Sequence, residues 1–321
     1  MTNFSAAALN TPILEICMTH MQNLHNPFYT PEYITYRRSQ GDIPWILSSN
    51  SIHTQSEIYC LAFMKSGRLR HSLEIPSIPD ISGNEPFWHG LMDFCRNKGI
   101  SNLSINSFGA QGGLIPQLKH ERSRKKRYEY ILDLTHPDAL KKMSKQHVRK
   151  VKQAQKAGVK MQRTCHQEAV EAHVRLISLS MQRRKARGEN ITISVPTKNI
   201  QHLVSTGTGE IFQTVLADRV VSSNLILRAP RAGYNHSGGT SPEGMDCGAS
   251  HFLIYEIAGA LRDEGKKTLN LGGVDDPDPK SGLVRFKAGF GTERIQLEAA
   301  RFMPRSVVFG FLQHFLSSIR K

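Results

Sequence analysis

A helix that ends in glycine and runs into a short apolar strand occurs once in each half of this chain. The two segments are DFCRNKGISNLSI in the first half and ALRDEGKKTLNL in the second. Glycine just past the last helical turn is a typical helix stop. The strand–loop–helix–strand order around the first segment indicates helices layered on a sheet. The recurrence therefore favours an α/β chain in which one fold is duplicated.

The length of 321 residues exceeds what one hydrophobic core usually covers, so two domains are expected. A basic stretch, KHERSRKKR, ends at residue 127, and an alternating apolar strand follows it. We therefore predict a first domain over residues 1–127 and a second over 128–321. In the second domain, a hairpin is expected to turn at Ala217 to Arg219.

The formal net charge is +15, which attracts phosphate-rich or otherwise anionic partners. RNA, a nucleotide and an anionic lipid all fit this charge, and so does simple solubility. The five cysteines are scattered and form no CxxC pair, which favours free thiols in a reducing compartment over disulfides or a metal site. The apolar segment at 307–319 is too short to span a bilayer, and no signal peptide is recognised. We expect a cytoplasmic protein with no transmembrane segment.

The segment THPDALKKMSKQHVRKVKQAQKAGVK predicts a helix between Pro137 and Gly158. Its apolar residues fall within a sector of about 140°: Leu140, Met143, Val148, Val151 and Ala154. Its basic residues gather on the opposite side, in a sector of about 100°: Lys141, Lys142, Lys145, Arg149, Lys152 and Lys156. This basic face is either solvated or a track for the phosphates of a nucleic acid.

A glycine-bearing loop, SGGTSPEGMDCGAS, leads into a helix that starts near Ser250. Unpaired amides at a helix start suit a phosphate or a carboxylate, which makes Gly248 and Ser250 candidate ligand contacts. An ordinary strand-to-helix turn is the alternative. No GxxxxGK[ST] loop, HExxH or GxSxG motif is present.

The string GLVRFKAGFGTE places an aromatic-lysine pair among glycines, just past an acidic loop. Phe286 and Phe290 can exclude water, and a cation in a partly dry pocket stabilises negative charge better than one in solvent. Lys287 can thus hold the oxyanion that forms when an amine attacks an ester or thioester, and the neighbouring Arg285 is a candidate substrate contact. Alternatively, both phenylalanines belong to the core and Lys287 lies at the surface.

Together these segments resemble the FemABX family, the peptidoglycan-bridge aminoacyltransferases, and relatives described as acetyltransferases. The resemblance runs, in family order, through LDL at 132–134, the lysine-rich helix ending in KAGVKM, YNHSGGTS, HFLIYEIAGALRDEGKKTLNLGG and GLVRFKAGFGTE. The first half, from LEIPSIPDISG to ISNLSINSFG, is similar to the partner domain of that family. The resemblance implies tandem GNAT-like domains, each a mixed, mostly antiparallel sheet flanked by helices, with a cleft between them.

The resemblance also implies roles for several residues. The family's Phe-Lys pair matches Phe286 and Lys287, whose amine would face the acyl carbonyl. Arg184 matches an arginine that contacts substrate phosphates, although the adjacent Arg183 leaves this register open by one. Tyr234 lies on the strand that lines the cleft. Two features depart from the pattern: the long coiled-coil arm of some members is absent, and EGMDCGAS stands where GNAT enzymes carry their acetyl-CoA loop.

The resulting hypothesis is an N-acyltransferase that forms an amide on an amine acceptor. The expected donor is an aminoacyl-tRNA held by the basic face and by the basic stretch at 119–127, with no cofactor and no metal. The acceptor is a peptidoglycan precursor or another amine-bearing small molecule, and a monomer is expected. Acyl-CoA-dependent acetylation of a sugar or small metabolite is one alternative, and RNA binding without catalysis is another. No general base stands out, although Asp275 and Asp276 lie in the adjacent loop.

Overall fold

The computed structural model describes residues 4–9, 25–49, 59–67, 70–79, 83–110, 112, 114–136, 139–189, 191–275 and 277–304. The segment 307–319, Pro137 and Asp276 lie outside these residues. The strands are β1 (Ser5–Ala8), β2 (Ile43–Ser48), β3 (Tyr59–Ser66), β4 (His71–Ile75), β5 (Ile100–Ile105), β6 (Glu121–Asp133), β7 (Lys160–Thr164), β8 (Gly209–Leu216), β9 (Arg219–Ala229), β10 (Ala232–Thr240), β11 (Thr268–Val274) and β12 (Glu293–Phe302). The α-helices are α1 (Pro31–Ser39), α2 (Glu85–Asn97), α3 (Lys145–Lys156), α4 (Gln167–Ala186), α5 (Thr197–Ser205), α6 (Pro242–Cys247), α7 (Ala249–Asp263) and α8 (Gly282–Ala288).

Two compact units make up the fold, and the chain passes between them more than once. Within the described residues, the first unit takes those of 4–9, 37–127 and 296–304, and the second takes those of 25–36 and 128–295. One border between the units falls at 127/128. The segments 25–36 and 296–304 belong to the unit opposite to the one that a single cut at this border would give them.

The first unit is a mixed sheet in the order β1-β2-β3-β4-β5-β12. Its neighbouring strands are antiparallel except for β4 and β5, which run parallel and are joined through α2. The C-terminal part of β12 belongs here because Ala300 pairs with Ile105. Fully buried Trp88, Leu91 and Phe302 lie in its core.

The second unit repeats this plan in the order β6-β11-β10-β9-β8-β7. Here β10 and β11 are the parallel pair, joined through α6 and α7, and the other neighbours are antiparallel. Its core gathers Phe212 from the sheet with Leu253 and Ile257 from α7. The predicted class, a mixed and mostly antiparallel sheet flanked by helices, is confirmed in both units.

Both helices of the recurring sequence motif stop where glycine is placed. Gly99 follows α2 with φ +67°, and Gly265 follows α7 with φ +78°. A left-handed residue at this position costs glycine little and other residues more, so glycine ends the helix and turns the chain into the next strand.

The basic helix is shorter than its sequence pattern predicts. A 3₁₀ turn covers Ala139–Lys142, and α3 begins only at Lys145, because Ser144 accepts the backbone N–H of His147 as an N-cap at 3.3 Å. The predicted apolar face is also partly wrong. Val148 is 37% exposed, whereas His147 is buried at 5%.

Candidate functional site

The strand pairing of β10 and of β11, which run parallel, becomes irregular at the same height in the sheet. Their pairing ends with Tyr234 opposite Asn270. Immediately beyond, the register between β10 and β9 shifts across His236, and that between β11 and β6 shifts between Asn270 and Gly273. Bulges re-aim backbone and side chains and occur often beside active sites. Two adjacent bulges on the central strands of the second unit therefore mark a candidate site.

Lys287 points its amine at this place. It lies near the end of α8, is 7% exposed, and its Nζ donates a hydrogen bond to the carbonyl oxygen of Gly273 at 3.0 Å. Its alternative placement at the surface is therefore wrong. A cation withdrawn from bulk water attracts a nearby anion more strongly than a solvated one, so this amine can stabilise a developing negative charge.

Phe286 is half-buried, and its ring packs against other aromatic rings. Its ring lies 5.2 Å from that of Phe290 and 4.9 Å from that of His251, both edge-on. Phe290 is fully buried. Phe290 belongs to the core of the second unit, and Phe286 packs against that core.

Two histidines that sequence reasoning missed complete this aromatic cluster. The Nε2 atom of His147 lies 2.8 Å from the carbonyl oxygen of Phe286, and its Nδ1 lies 2.9 Å from the Ser144 hydroxyl. Burial lowers the pKa of His147, although the Phe286 carbonyl opposes this, and burial lowers the pKa of His251 to about 4. The available signal was position, since His147 interrupts the apolar face of the basic helix.

Tyr234 is 5% exposed, and its hydroxyl is already engaged. It donates to Glu129 Oε1 at 2.8 Å, and the side-chain amide of Asn270 donates to Glu129 Oε2 at 2.7 Å. Asn270 in turn accepts the backbone N–H of Gly272 at 2.8 Å. This network spans β6, β10 and β11 at the level of the bulges. The sequence gives little sign of Glu129, a fully buried carboxylate on a strand.

Past its bulge, β10 carries a second polar cluster. The buried ring of His173, on α4, has Nδ1 2.9 Å from the Ser223 hydroxyl and Nε2 2.9 Å from the Ser237 hydroxyl. Burial lowers the pKa of His173 to about 3, so its ring is neutral at pH 7. His236, at the bulge of β10, is exposed to solvent.

The two adjacent arginines at the end of α4 differ in direction. Arg184 pairs with Glu189 at the surface, at 2.7 Å. Arg183 turns towards β10, where its Nη2 donates to the carbonyl oxygen of Thr240 at 2.5 Å and to the Ser180 hydroxyl at 3.0 Å. Burial, followed by repulsion from Arg187, lowers the pKa of Arg183. The structure thus directs Arg183, rather than the predicted Arg184, to the end of β10.

The start of α7, where Gly248 and Ser250 are candidate ligand contacts, is partly covered by α3. Gly248 and Ala249 are buried, and a Cβ on Gly248 would lie 2.6 Å from the carbonyl oxygen of Lys150 on α3. Gly248 therefore serves close packing between helices. Ser250 is only partly exposed, and Arg285 is exposed on α8.

The predicted basic face does lie in solvent. Each of its six members is exposed: Lys141, Lys142, Lys145, Arg149, Lys152 and Lys156. Beside it, a groove of about 660 Å³ runs between α3 and α7, with Val148 and Tyr255 in its lining. Among the described residues, no helix is long and apolar enough to cross a membrane.

The comparisons with known proteins agree with this geometry. Residues 141–287 match the family model of the acetyltransferase (GNAT) domain. No curated protein sequence matches the chain. Among solved structures, FemX has a TM-score of 0.65 at 13% identity, covering 92% of this chain and 96% of its own.

Two further structures share the fold. A tandem GNAT protein from the clavulanic acid biosynthesis pathway gives a TM-score of 0.54 at 9% identity, covering 94% of this chain and 99% of its own. The C-terminal domain assigned to a lysylphosphatidylglycerol synthetase from Agrobacterium fabrum gives 0.53 at 12% identity, covering 95% and 96%. Residues 141–287 thus match a GNAT acetyltransferase domain, and the chain shares the fold of FemX and of the tandem GNAT protein.

Proposed function

We propose that the protein transfers an aminoacyl group from an aminoacyl-tRNA to an amine, with Lys287 as the oxyanion donor. The observation that carries the proposal is the buried Lys287 amine, 3.0 Å from the Gly273 carbonyl oxygen beside two strand bulges. A preorganised cation at the reacting carbonyl is often the largest single contribution to acyl transfer.

The reaction needs no redox partner. The amine nitrogen of the acceptor attacks the ester carbonyl, and the oxyanion accepts a hydrogen bond from Lys287. The ester C–O bond then breaks, the amine proton passes to the leaving ribose oxygen, and an amide remains. Asp275 is exposed in the loop after β11 and is a candidate to relay that proton.

The preference for tRNA as donor is supported by the charge of the protein. The exposed basic face presents six cations, four on α3 and two in the 3₁₀ turn before it, which suits a run of phosphates. Arg183 is a further candidate for a phosphate, since its Nη1 is buried and makes no hydrogen bond within the described residues. The proposed reaction belongs to the cytoplasm, where charged tRNA is found.

The proposed acceptor is a peptidoglycan precursor or another amine-bearing small molecule. The neighbours FemX and the lysylphosphatidylglycerol synthetase domain support amino-acid transfer as the chemistry. An acyl-CoA donor is the second candidate, because residues 141–287 match a domain described as an acetyltransferase.

The test supplies labelled aminoacyl-tRNA or labelled acetyl-CoA together with a panel of amines, and follows the label into amide. We expect amide from the tRNA donor, and Lys287→Ala should lower the rate by about 10²- to 10³-fold. Lys280→Ala, on the exposed loop before α8, is the matched control. Amide from acetyl-CoA alone would favour the second candidate. Salt-sensitive RNA binding without any product would indicate a non-catalytic protein instead.

A further inference from the structure

The carbonyls at the end of the short helix α8 cannot all find donors within the helix, so some need other partners. The Arg285 carbonyl accepts from Gly289 N–H at 3.0 Å, and that of Lys287 accepts from the Phe290 N–H and the Thr292 hydroxyl. The Phe286 carbonyl is different, because its partner is the His147 ring on α3 at 2.8 Å. One side chain from a distant helix therefore completes the end of α8.

This hydrogen bond fixes a particular protonation pattern. A carbonyl oxygen only accepts, so Nε2 of His147 must carry the hydrogen. In the neutral ring Nδ1 then accepts from the Ser144 hydroxyl, 2.9 Å away. The backbone N–H of Ser144 also donates to the Gly289 carbonyl at 2.8 Å. The start of α3 is thus joined to the end of α8 at two points.

Packing leaves the His147 ring little room to move. A Cβ on Gly289 would lie 2.0 Å from its Cε1 atom, and the rings of Phe290 and His251 lie edge-on at 4.7 and 4.6 Å. The Phe286 carbonyl and the Lys287 N–H belong to one planar peptide unit. Holding that oxygen therefore fixes the orientation at which the Lys287 side chain leaves the backbone.

From this geometry we propose that His147 is a positioning residue for Lys287. It holds the peptide between Phe286 and Lys287 so that the amine reaches the Gly273 carbonyl and the bulges beside it. Because His147 lies on α3, it also joins the basic face to the reacting lysine. The inference rests on the proposed role of Lys287 in acyl transfer, although its structural part can be tested without any substrate.

The first experiment measures where the Lys287 amine lies. Limiting acetic anhydride labels accessible amines, and mass spectrometry of peptides gives the modified fraction of Lys287. His147→Leu should raise that fraction several-fold in folded protein. His147→Gln, whose side-chain amide can donate from a similar position, should return the modified fraction of Lys287 to the parental value. An unchanged fraction in folded His147→Leu would overturn the proposal.

Variants of Gly282, the first residue of α8, and of Gly289, the residue just after α8, keep the test decisive if His147→Leu fails to fold. Gly289→Ala pushes a methyl group into the His147 ring, whereas a Cβ on Gly282 meets nothing within 4 Å. We expect Gly289→Ala to raise Lys287 labelling and Gly282→Ala to leave it at the parental value. Equal labelling in the two variants would contradict the proposal.

The second experiment separates positioning from binding. With the active donor, His147→Leu should lower kcat by about 10- to 100-fold, as expected for a misplaced group, with little change in KM. His147→Gln should recover most of the loss. A rise in KM at unchanged kcat would overturn the positioning role. If no donor gives product, the acyl-transfer proposal fails, and the labelling results still decide whether His147 positions Lys287.

Discussion

Glu129 shows how a single buried side chain can organise the centre of a sheet. Its two carboxylate oxygens accept hydrogen bonds from Tyr234 on β10 and Asn270 on β11, while its backbone lies on β6. A buried carboxylate needs such donors, because leaving one unsatisfied costs far more than the bond gains. At the scale of the residue, the level of the bulges is therefore fixed by polar contacts.

Replacing Tyr234 by Phe removes one donor from that carboxylate and leaves the ring in place. We expect the free energy of unfolding to fall by about 1–3 kcal/mol, measured by urea titration. Tyr255→Phe is the control, because its hydroxyl makes no hydrogen bond within the described residues and it packs against the same core. Equal losses in the two variants would show that the Glu129 contact is not important for stability.

Residue identity predicts Lys287 as a site residue, yet it does not predict its neighbours. Aromatic and glycine residues beside Lys287 are contiguous in sequence, so the pattern is visible. Glu129 and His147 reach the same region from β6 and α3, and nothing in their local sequence reveals which residues they meet. Arg183 and Arg184 are adjacent on α4 and differ in the direction of their side chains. The spacing of residues in the sequence does not decide which of the two reaches β10.

At the scale of the element, the caps at helix ends contribute to the free energy of unfolding. Ser144 caps α3, and its hydroxyl also contacts the His147 ring. Ser281 occupies the equivalent position before α8 but makes no side-chain cap hydrogen bond. Ser144→Ala should therefore lower the free energy of unfolding by about 1 kcal/mol, and Ser281→Ala should have little effect. Denaturant unfolding of both variants compares them directly, and an equal effect would contradict the assigned cap.

The basic face is also a property of an element, because its cations bind phosphates together. Lys145→Glu with Lys152→Glu should weaken tRNA binding, and the slope of log K against log salt should fall by about 0.7 to 0.9 for each phosphate that the variant no longer neutralises. Lys198→Glu, exposed on α5, serves as the control for charge alone. Identical salt slopes for the double variant and the parent would place the RNA elsewhere.

Elements were easier to predict than their ends. The hairpin turn was correctly placed, since β8 ends at Leu216, β9 begins at Arg219, and Ala217 and Asp218 have positive φ. The glycine stops after α2 and α7 were also correct, because local backbone strain sets both. The start of α3 was wrong, since the Ser144 cap competes with an apolar pattern that continues across it. Local sequence decides the hairpin turn and the glycine stops, whereas the choice between alternative helix caps depends on tertiary contacts.

Several neutral histidines make the whole molecule sensitive to acid. Burial lowers the pKa of His173 to about 3 and that of His251 to about 4, and it also lowers that of His147. Below pH 6.5 the folded chain therefore binds fewer protons than the unfolded chain. The free energy of unfolding has its full value above pH 6.5 and falls as the pH drops towards 4. Urea midpoints at pH 7 and pH 5 measure this loss. His173→Gln should reduce the difference, whereas exposed His166→Gln should not.

The interleaved units predict that residues 1–127 do not fold alone. Without β12, this fragment loses the Ala300–Ile105 pairing, the buried Phe302 and the ion pair between Glu298 and Arg124. An unpaired strand edge favours association, so we expect the isolated fragment to aggregate. Circular dichroism and size-exclusion chromatography check this, and a monomeric fragment with native strand content would contradict it.

The return of β12 to β5 also affects folding during synthesis on the ribosome. β12, the strand that covers the edge of β5, is made only after β6 to β11 of the second unit. The edge of β5 in the nascent first unit therefore stays open while those strands are made. Chaperone demand and the pace of translation, rather than the stability of the finished protein, would then set the yield of folded protein in a cell.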